Sequence, residues 1–401
     1  MAEFDPDNPG PLDGVRVLDL SRLIAGNMLS LQLADFGADV IKIEPAGKGD
    51  PLRAWVEEGI SAFWKIYCRN KRSVSLNFRG PGAAEIILKM AEQADILIEN
   101  FRPGRMEDMG LAPDILHARN PKLVIVRVSG FGQTGPYREL PGFGTMVEAM
   151  SGFASRNGYP DRPPLLPPLA LADMIAGLQG AYAVMVALRE VEVKQGKGQV
   201  VDLSLFEPIL STLGPEALTY KITGGVKERS GNRSSTSAPR DVYETRDGKH
   251  VALSASIQVM AERVFRVIGR DDMIDDARYR TNADRVRNRD EVNDIVAAWV
   301  AERSRDEVLG TFQEAGITAS PVYDVRDVVA DPHVIAREVL IDLPDDDLGT
   351  APHHNIPPRL SATPGTFRRP APELGEHTDD LLREAGYSGE EILNMRNKGM
   401  I

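Results

Sequence analysis

The sequence predicts an α/β fold class: an open, mostly parallel sheet wrapped by helices as the large domain, plus a smaller α+β domain. Three observations predict it. Short apolar runs alternate with helical-period segments from Val15 to Val128. The character changes after about Gly224 to polar loops, a hairpin signal and a helical stretch. The chain has 401 residues, 42% hydrophobic and 26% charged, which is ordinary globular composition and long enough for a sizeable core without staples.

The elements follow in order. Val15–Leu20 is an apolar run after Asp13-Gly14 and reads as the first strand. Asn27–Phe36 has helical spacing and stops at Gly37. Asp39–Glu44 and Ser73–Phe78 read as strands, the second alternating as a half-buried strand does. Ala83–Gln93 is helical, and Ile96–Ile98 and Leu123–Val128 are further strands. This β-α-β-α rhythm with right-handed crossovers gives a Rossmann-like sheet. After the Pro-rich Arg162–Pro168, a helix runs from about Leu171 to Val191. Ala176, Gly177, Gly180, Ala181 and Ala183 give it a small-residue face for close packing, and Gln199–Leu205 is the next strand. Asp247-Gly248 marks a hairpin within Tyr243–Ala255, and helices fill about Gln258 to Ala315. The expected domains are therefore 1–224, 225–316, and a segment 317–401 that returns to the large domain and carries a helix at Thr378–Glu384.

Several function classes are excluded or disfavoured. Cys68 is the single cysteine, so there is neither an internal disulfide nor a Cys cluster for zinc. A formal net charge of −12 argues against nucleic acid, and a polyanionic ligand needs a local basic patch. The turn after the first strand lacks a G-x-G-x-x-G, and no Walker A pattern occurs. The most apolar stretch, Met174–Leu188, is interrupted by Gln179 and glycines, so no membrane span is expected. The acidic N-terminus has no apolar core, and a cytoplasmic location is expected. His353-His354 are neighbours that point apart, without third-ligand spacing, and read as structural; no metal is expected.

A set of strings, in order along nearly the whole chain, resembles the class III CoA-transferase family, which includes formyl-CoA and carnitine CoA-transferases. They are Leu12–Asp19, Leu33–Glu44, Arg69–Ser73, Glu99–Gly104, Ser129–Tyr137, Ala172–Gly177, Gly196–Leu205 and Leu374–Asp379. The resemblance implies an interlocked homodimer whose active site lies between the large domain of one chain and the small domain of the other. It implies acyl-CoA and carboxylic acid substrates, succinyl-CoA being a common donor, and no cofactor beyond coenzyme A itself. It also implies that Asp173 attacks the thioester, giving a mixed anhydride and then an enzyme-bound CoA thioester.

On spacing alone, Asp173 reads as a helix cap after Pro167-Pro168. The resemblance makes it the nucleophile, a role carboxylates fill elsewhere, and a helix N-terminus favours its ionised form. Arg69, Lys71 and Arg72 form a basic cluster that is either a solvated patch or, by the resemblance, a CoA-phosphate site. Asn100, Phe101 and Arg102 follow a strand end, where open α/β sheets bind ligands. The Leu23–Gly26 turn, with Leu23 and Ala25, matches a CoA-contact region. Asn27 stands where relatives have Pro and is expected to cap the following helix. Asp108 stands where many relatives carry Arg, leaving Arg105, one turn earlier, as the substitute. Ser234–Ser237, with Ser235, either lines an acyl pocket or is an ordinary loop. Arg240 is either a surface residue or the partner of a second carboxylate, which implies a dicarboxylic acid.

Two other functions are disfavoured by the same residues. An α-methylacyl-CoA racemase needs a His-Asp pair, but Phe143, after Gly142, occupies the histidine's place and carries no proton. A non-catalytic CoA-binding protein would not need Asp173.

Overall fold

The computed structural model describes residues 2–401. Its described residues divide into two compact units, one of residues 2–153, 166–218 and 338–401 and the other of residues 154–165 and 219–337.

The larger unit is built on strands β1 (Arg16–Asp19), β2 (Asp39–Pro45), β3 (Lys71–Leu76), β4 (Ile96–Glu99), β5 (Val124–Ser129) and β6 (Val200–Ser204). They form one sheet in the order β3-β2-β1-β4-β5-β6, and every pairing is parallel. That order is the doubly wound one, with its switch point between β1 and β4. Its helices include α1 (Ala25–Ala34), α2 (Ala83–Ala91), α3 (Pro113–Arg119), α4 (Gly144–Met150) and the 22-residue α5 (Leu171–Glu192).

The strands are apolar on both faces because both are covered. Leu18, Ile41, Val74, Leu97 and Ile125 point into one cluster with Ile86 and Met90 of α2. Val17, Val40, Ile96, Val124 and Val126, one residue out of phase, point into the other with Leu29 and Leu33 of α1 and Ala176 and Val184 of α5. Charged residues interrupt this apolar pattern: Asp19 and Glu99, at the carboxyl ends of β1 and β4, pair in register with Lys42 and Arg127. The small-residue face of α5 does what its sequence indicates. A Cβ on Gly177 would meet Met28 Cγ at 2.7 Å and the Ala25 carbonyl at 3.0 Å, so only glycine lets α1 come this close.

By length and composition α5 could also cross a bilayer, which the interruptions at Gln179 and the glycines had argued against. Here one face of it is core: Ala176, Gly177, Gly180, Val184, Ala187 and Leu188 are buried.

The smaller unit holds the expected hairpin. Strands β7 (Arg240–Glu244) and β8 (His250–Ser254) pair antiparallel around Asp247-Gly248, and β9 (Ala319–Pro321) adds to β8. Helices α6 (Gln258–Val267), α7 (Arg289–Ala301) and α8 (Arg305–Glu314) pack on them through Val264, Val296, Val300 and Phe312. Because β9 pairs with Val251–Leu253, the unit extends past the expected boundary at residue 316, and the chain rejoins the larger unit only at residue 338. There it forms the hairpin β10 (Leu340–Asp345) and β11 (Gly349–His354), then α9 (Thr378–Glu384) and α10 (Gly389–Asn397). His353 is buried and His354 exposed, as alternation on a strand requires. Among the described residues no group of three His, Cys, Asp or Glu side chains is placed to hold a metal.

Candidate active site

Asp173 is the third residue of α5, not its cap: the cap position is Ala170, which makes no side-chain cap bond. Its carboxylate instead accepts from its own N–H and from the N–H of Ala25, the first residue of α1. The close packing of α1 on α5 at Gly177, one turn further on, makes that reach possible. Gly144 supplies the third side of the cradle, since a Cβ there would collide with Asp173 Oδ2. Glu148, buried on α4, accepts the Ala172 N–H at 3.0 Å and so takes the capping role that sequence spacing had offered to Asp173.

These surroundings set the carboxyl's acidity. Burial, then the like charge of Glu148, push Asp173 up to about 6, against the pull of the two N–H donors. A half-buried carboxylate with a raised pKa, and without a salt-bridge partner among the described residues, is a better base and nucleophile than an ordinary aspartate while still mostly ionised at pH 7. Met174, the next residue, packs in an apolar cluster with Ile24, Trp64 and Tyr67, with Tyr67 Oη 3.8 Å from Met174 Sδ.

Two clefts open at the carboxyl ends of the strands. One, of about 320 Å³, is lined by Arg22, Leu23, Pro51, Asn100, Arg102 and Phe143, the last adjoining Gly144. The other, of about 570 Å³, shares Arg22 and Arg102 with it and adds Lys48, Arg79, Arg105, Phe78 and Phe101. Among the described residues no carboxylate pairs with Arg22, Lys48, Arg79 or Arg102, and all four are exposed. Phe78 and Phe101 meet edge to face with ring centroids 6.0 Å apart, and the Arg22 guanidinium lies 5.3 Å from the Phe101 centroid. Arg105 is weakly tied to Asp108 at 3.5 Å, both exposed.

The expected residues therefore separate into three groups. Leu23, Asn100, Phe101, Arg102, Arg105 and Phe143 line these clefts. Arg69, Lys71 and Arg72 do not, and their assignment to a phosphate site is corrected. Arg69 is buried and grips Asp35 through Nε at 3.0 Å and Nη2 at 2.6 Å. Lys71 is fully buried on Asn27, and Arg72 binds Asp39 and Glu384. Their charge is spent on acidic partners within the protein: Asp35 for Arg69, Asp19 for Lys71, and Asp39 with Glu384 for Arg72. Ala25 is likewise buried, its N–H committed to Asp173 rather than to a ligand. Asn27 lies inside α1 and caps nothing; its amide donates to Leu23 O at 2.6 Å and Asp50 Oδ2 at 2.9 Å.

The third group is in the smaller unit. Ser235 and Arg240 line a cleft of about 960 Å³ with Ser254, Ser256, Thr318 and Ser320. The Arg240 backbone N–H is held by Asn293 at 3.1 Å, while its exposed side chain has no protein partner among the described residues.

Sequence reasoning missed Arg22, Lys48, Arg79, Gly144 and Glu148. Lys48 and Arg79 each follow the end of a strand, β2 and β3, so the rule that singled out Arg102 also covered them. Gly144 and Glu148 carry no such signal, since the short helix α4 is defined by its tertiary neighbours.

The fold and these clefts define a doubly wound α/β protein with a cationic cleft at the carboxyl edge of its sheet. The CoA-transferase family III pattern matches residues 12–378. The chain is 38% identical over 397 residues to the succinyl-CoA–D-citramalate CoA-transferase of Chloroflexus aurantiacus, covering 98% of each, and 34% identical over 388 residues to the succinate–glutarate CoA-transferase of Agrobacterium fabrum, covering 94% of this chain and 96% of that one. A CaiB/BaiF family protein from Brucella suis superposes with a TM-score of 0.83 at 32% identity, over 94% of this chain and 100% of that one. The chain belongs to CoA-transferase family III and is an enzyme of that class.

Proposed function

We propose that this enzyme moves CoA from succinyl-CoA to a second dicarboxylic acid, with Asp173 as the covalent carrier. The observation that carries the mechanism is the Asp173 carboxylate itself, raised to about 6, held by the Ala25 N–H and free of any cationic partner. An Asp173 oxygen attacks the thioester carbonyl, CoA leaves as thiolate, and an aspartyl–acyl anhydride forms. The thiolate attacks the aspartyl carbonyl, releasing the first acid and leaving an aspartyl–CoA thioester. The acceptor carboxylate attacks that carbonyl and expels the thiolate again. The thiolate then takes the acceptor's acyl carbon, giving the new thioester and free Asp173. Every bond made is matched by one broken, so neither a metal nor an organic cofactor is required.

The ligand's charge assigns the clefts. Arg22, Lys48, Arg79, Arg102 and Arg105 suit CoA's phosphates, Phe78 and Phe101 offer faces for its adenine, and the narrower cleft suits pantetheine. Arg240, with the hydroxyls around it, suits the second carboxylate of the acceptor; this reading is supported by relatives named for citramalate and glutarate. Phe143 stands where a racemase's histidine is expected and carries no proton, which speaks against that reading. The exposed stripe Leu178, Tyr182, Met185 and Val186 on α5 supports assembly as a homodimer.

Asp173→Ala is expected to fold and bind CoA but transfer none. Intact-protein mass after incubation with succinyl-CoA should show a CoA adduct in the wild type only, and transfer by the variant would overturn the mechanism. Arg240→Ala should raise the acceptor KM at least tenfold for dicarboxylic acids and leave the donor KM unchanged.

A further inference from the structure

Beneath the turn that carries Ala25 lies a closed set of buried charges. Asp19, Lys42, Asp50 and Lys71 are each no more than 1% exposed, as is Asn27 among them. Lys42 Nζ lies 3.3 Å from Asp19 Oδ1 and 3.1 Å from Asp50 Oδ2, and Lys71 Nζ lies 3.6 Å from Asp19 Oδ2. Two anions and two cations balance. Burying four charges is costly and adds little net stability, so what they hold in place matters more.

They hold Leu23. Its φ is +62°, in the left-handed region that costs a non-glycine residue about 1–2 kcal/mol. Both of its backbone polar groups are taken by this set: the N–H donates to Asp50 Oδ1 at 3.0 Å, and the carbonyl accepts from Asn27 Nδ2 at 2.6 Å. The same Asn27 amide donates to Asp50 at 2.9 Å, and its Oδ1 accepts from Lys71 at 3.0 Å. Arg22, one residue earlier, is clamped by Asn100 through both backbone groups, at 2.9 and 2.7 Å. The chain leaving this turn has one amide, that of Ala25, aimed at Asp173.

The geometry points to Asn27, braced by Asp50 and Lys71, as a positioning residue for the transfer reaction: it fixes the left-handed turn at Leu23 so that the Ala25 N–H meets the nucleophile. The inference rests on Asp173 being that nucleophile. Asn27 lines neither cleft and makes no hydrogen bond to Asp173, and it acts only through the turn.

The test is Asn27→Ala, followed by steady-state kinetics across pH 5–8 and thermal unfolding. Misplacing the amide by about 1 Å predicts a kcat lower by roughly 10- to 100-fold, with the donor KM changed less than about threefold. The acid limb of the profile should also move to higher pH, because Asp173 loses a donor that favours its anion. Leu23→Gly in the Asn27→Ala background should recover several-fold of the lost kcat, since glycine adopts positive φ without strain. If Asn27→Ala does not fold, Asn27→Asp keeps the side chain's shape and its oxygen toward Lys71 while removing the amide donor to Leu23. A folded variant with wild-type kcat, or with reduced kcat but an unmoved acid limb, overturns the inference. Should Asp173→Ala retain transfer, the catalytic reading itself fails. An essential Asp173 beside an indifferent Asn27 sinks only the positioning role.

Discussion

Replacing Glu148 by Gln should make the enzyme more active in acid. Glu148 contributes a like charge near Asp173, second only to burial in raising its pKa, and its Oε1 also accepts the Ala172 N–H. Glutamine keeps the oxygen and the shape and removes the charge. The full rise of Asp173 from 3.8 to about 6 corresponds to ~3 kcal/mol against ionisation. Burial persists in the variant, so the new limb must fall between those two values. Only the carboxylate attacks, so the active fraction falls as pH drops through the pKa. With a limb at about 6 the wild type keeps roughly one-eleventh of its plateau at pH 5. A fall of one pH unit leaves the variant about half, a gain near fivefold at pH 5 and almost none at pH 8. The assay is kcat/KM for succinyl-CoA from pH 5 to 8, which reports groups on the free enzyme. A limb that stays at 6, or rises, would refute the electrostatic account of Asp173.

Three further outcomes follow from the same structure. Asp173→Asn should unfold later than wild type at pH 7. The raised folded-state pKa means this group's contribution to stability is greatest below 3.8 and is lost as pH rises through about 6; solvent screening of the half-buried carboxylate trims the gain to ~1–2 kcal/mol, and denaturant midpoints at pH 7 and pH 4 should show it at the first only. Gly144→Ala should abolish transfer while sparing CoA binding by calorimetry, because the new Cβ collides with Asp173 Oδ2 rather than with the cationic cleft. Arg69→Ala should cost about 3–5 kcal/mol of stability through its orphaned buried partner Asp35, with the donor KM intact where the protein is folded; Arg102→Ala should do the opposite, raising that KM about tenfold, less so in high salt, at unchanged stability.

Arg69 and Arg102 look alike in the sequence and differ in the fold. Both are arginines near the end or start of a strand in an acidic chain, and the sequence points both toward the ligand. Strand periodicity says that successive residues face opposite sides, but not which side holds an unmatched carboxylate. Asp35, from another element, decided that Arg69 faces inward, and nothing comparable meets Arg102.

The sequence by itself determined the six parallel strands, the hairpin at Asp247-Gly248, the small-residue face of α5 and Asp173 as the residue to watch. These rest on local periodicity, turn chemistry and a motif order that survive without coordinates. Tertiary structure alone decided that Glu148 rather than Asp173 caps α5, that Gly144 walls the carboxylate, and that Asn27 braces Leu23. Each depends on two elements far apart in sequence meeting within hydrogen-bond distance. Hydrogen bonds and desolvation act over a few ångströms of space, while the patterns that can be read along a chain register only neighbours in sequence.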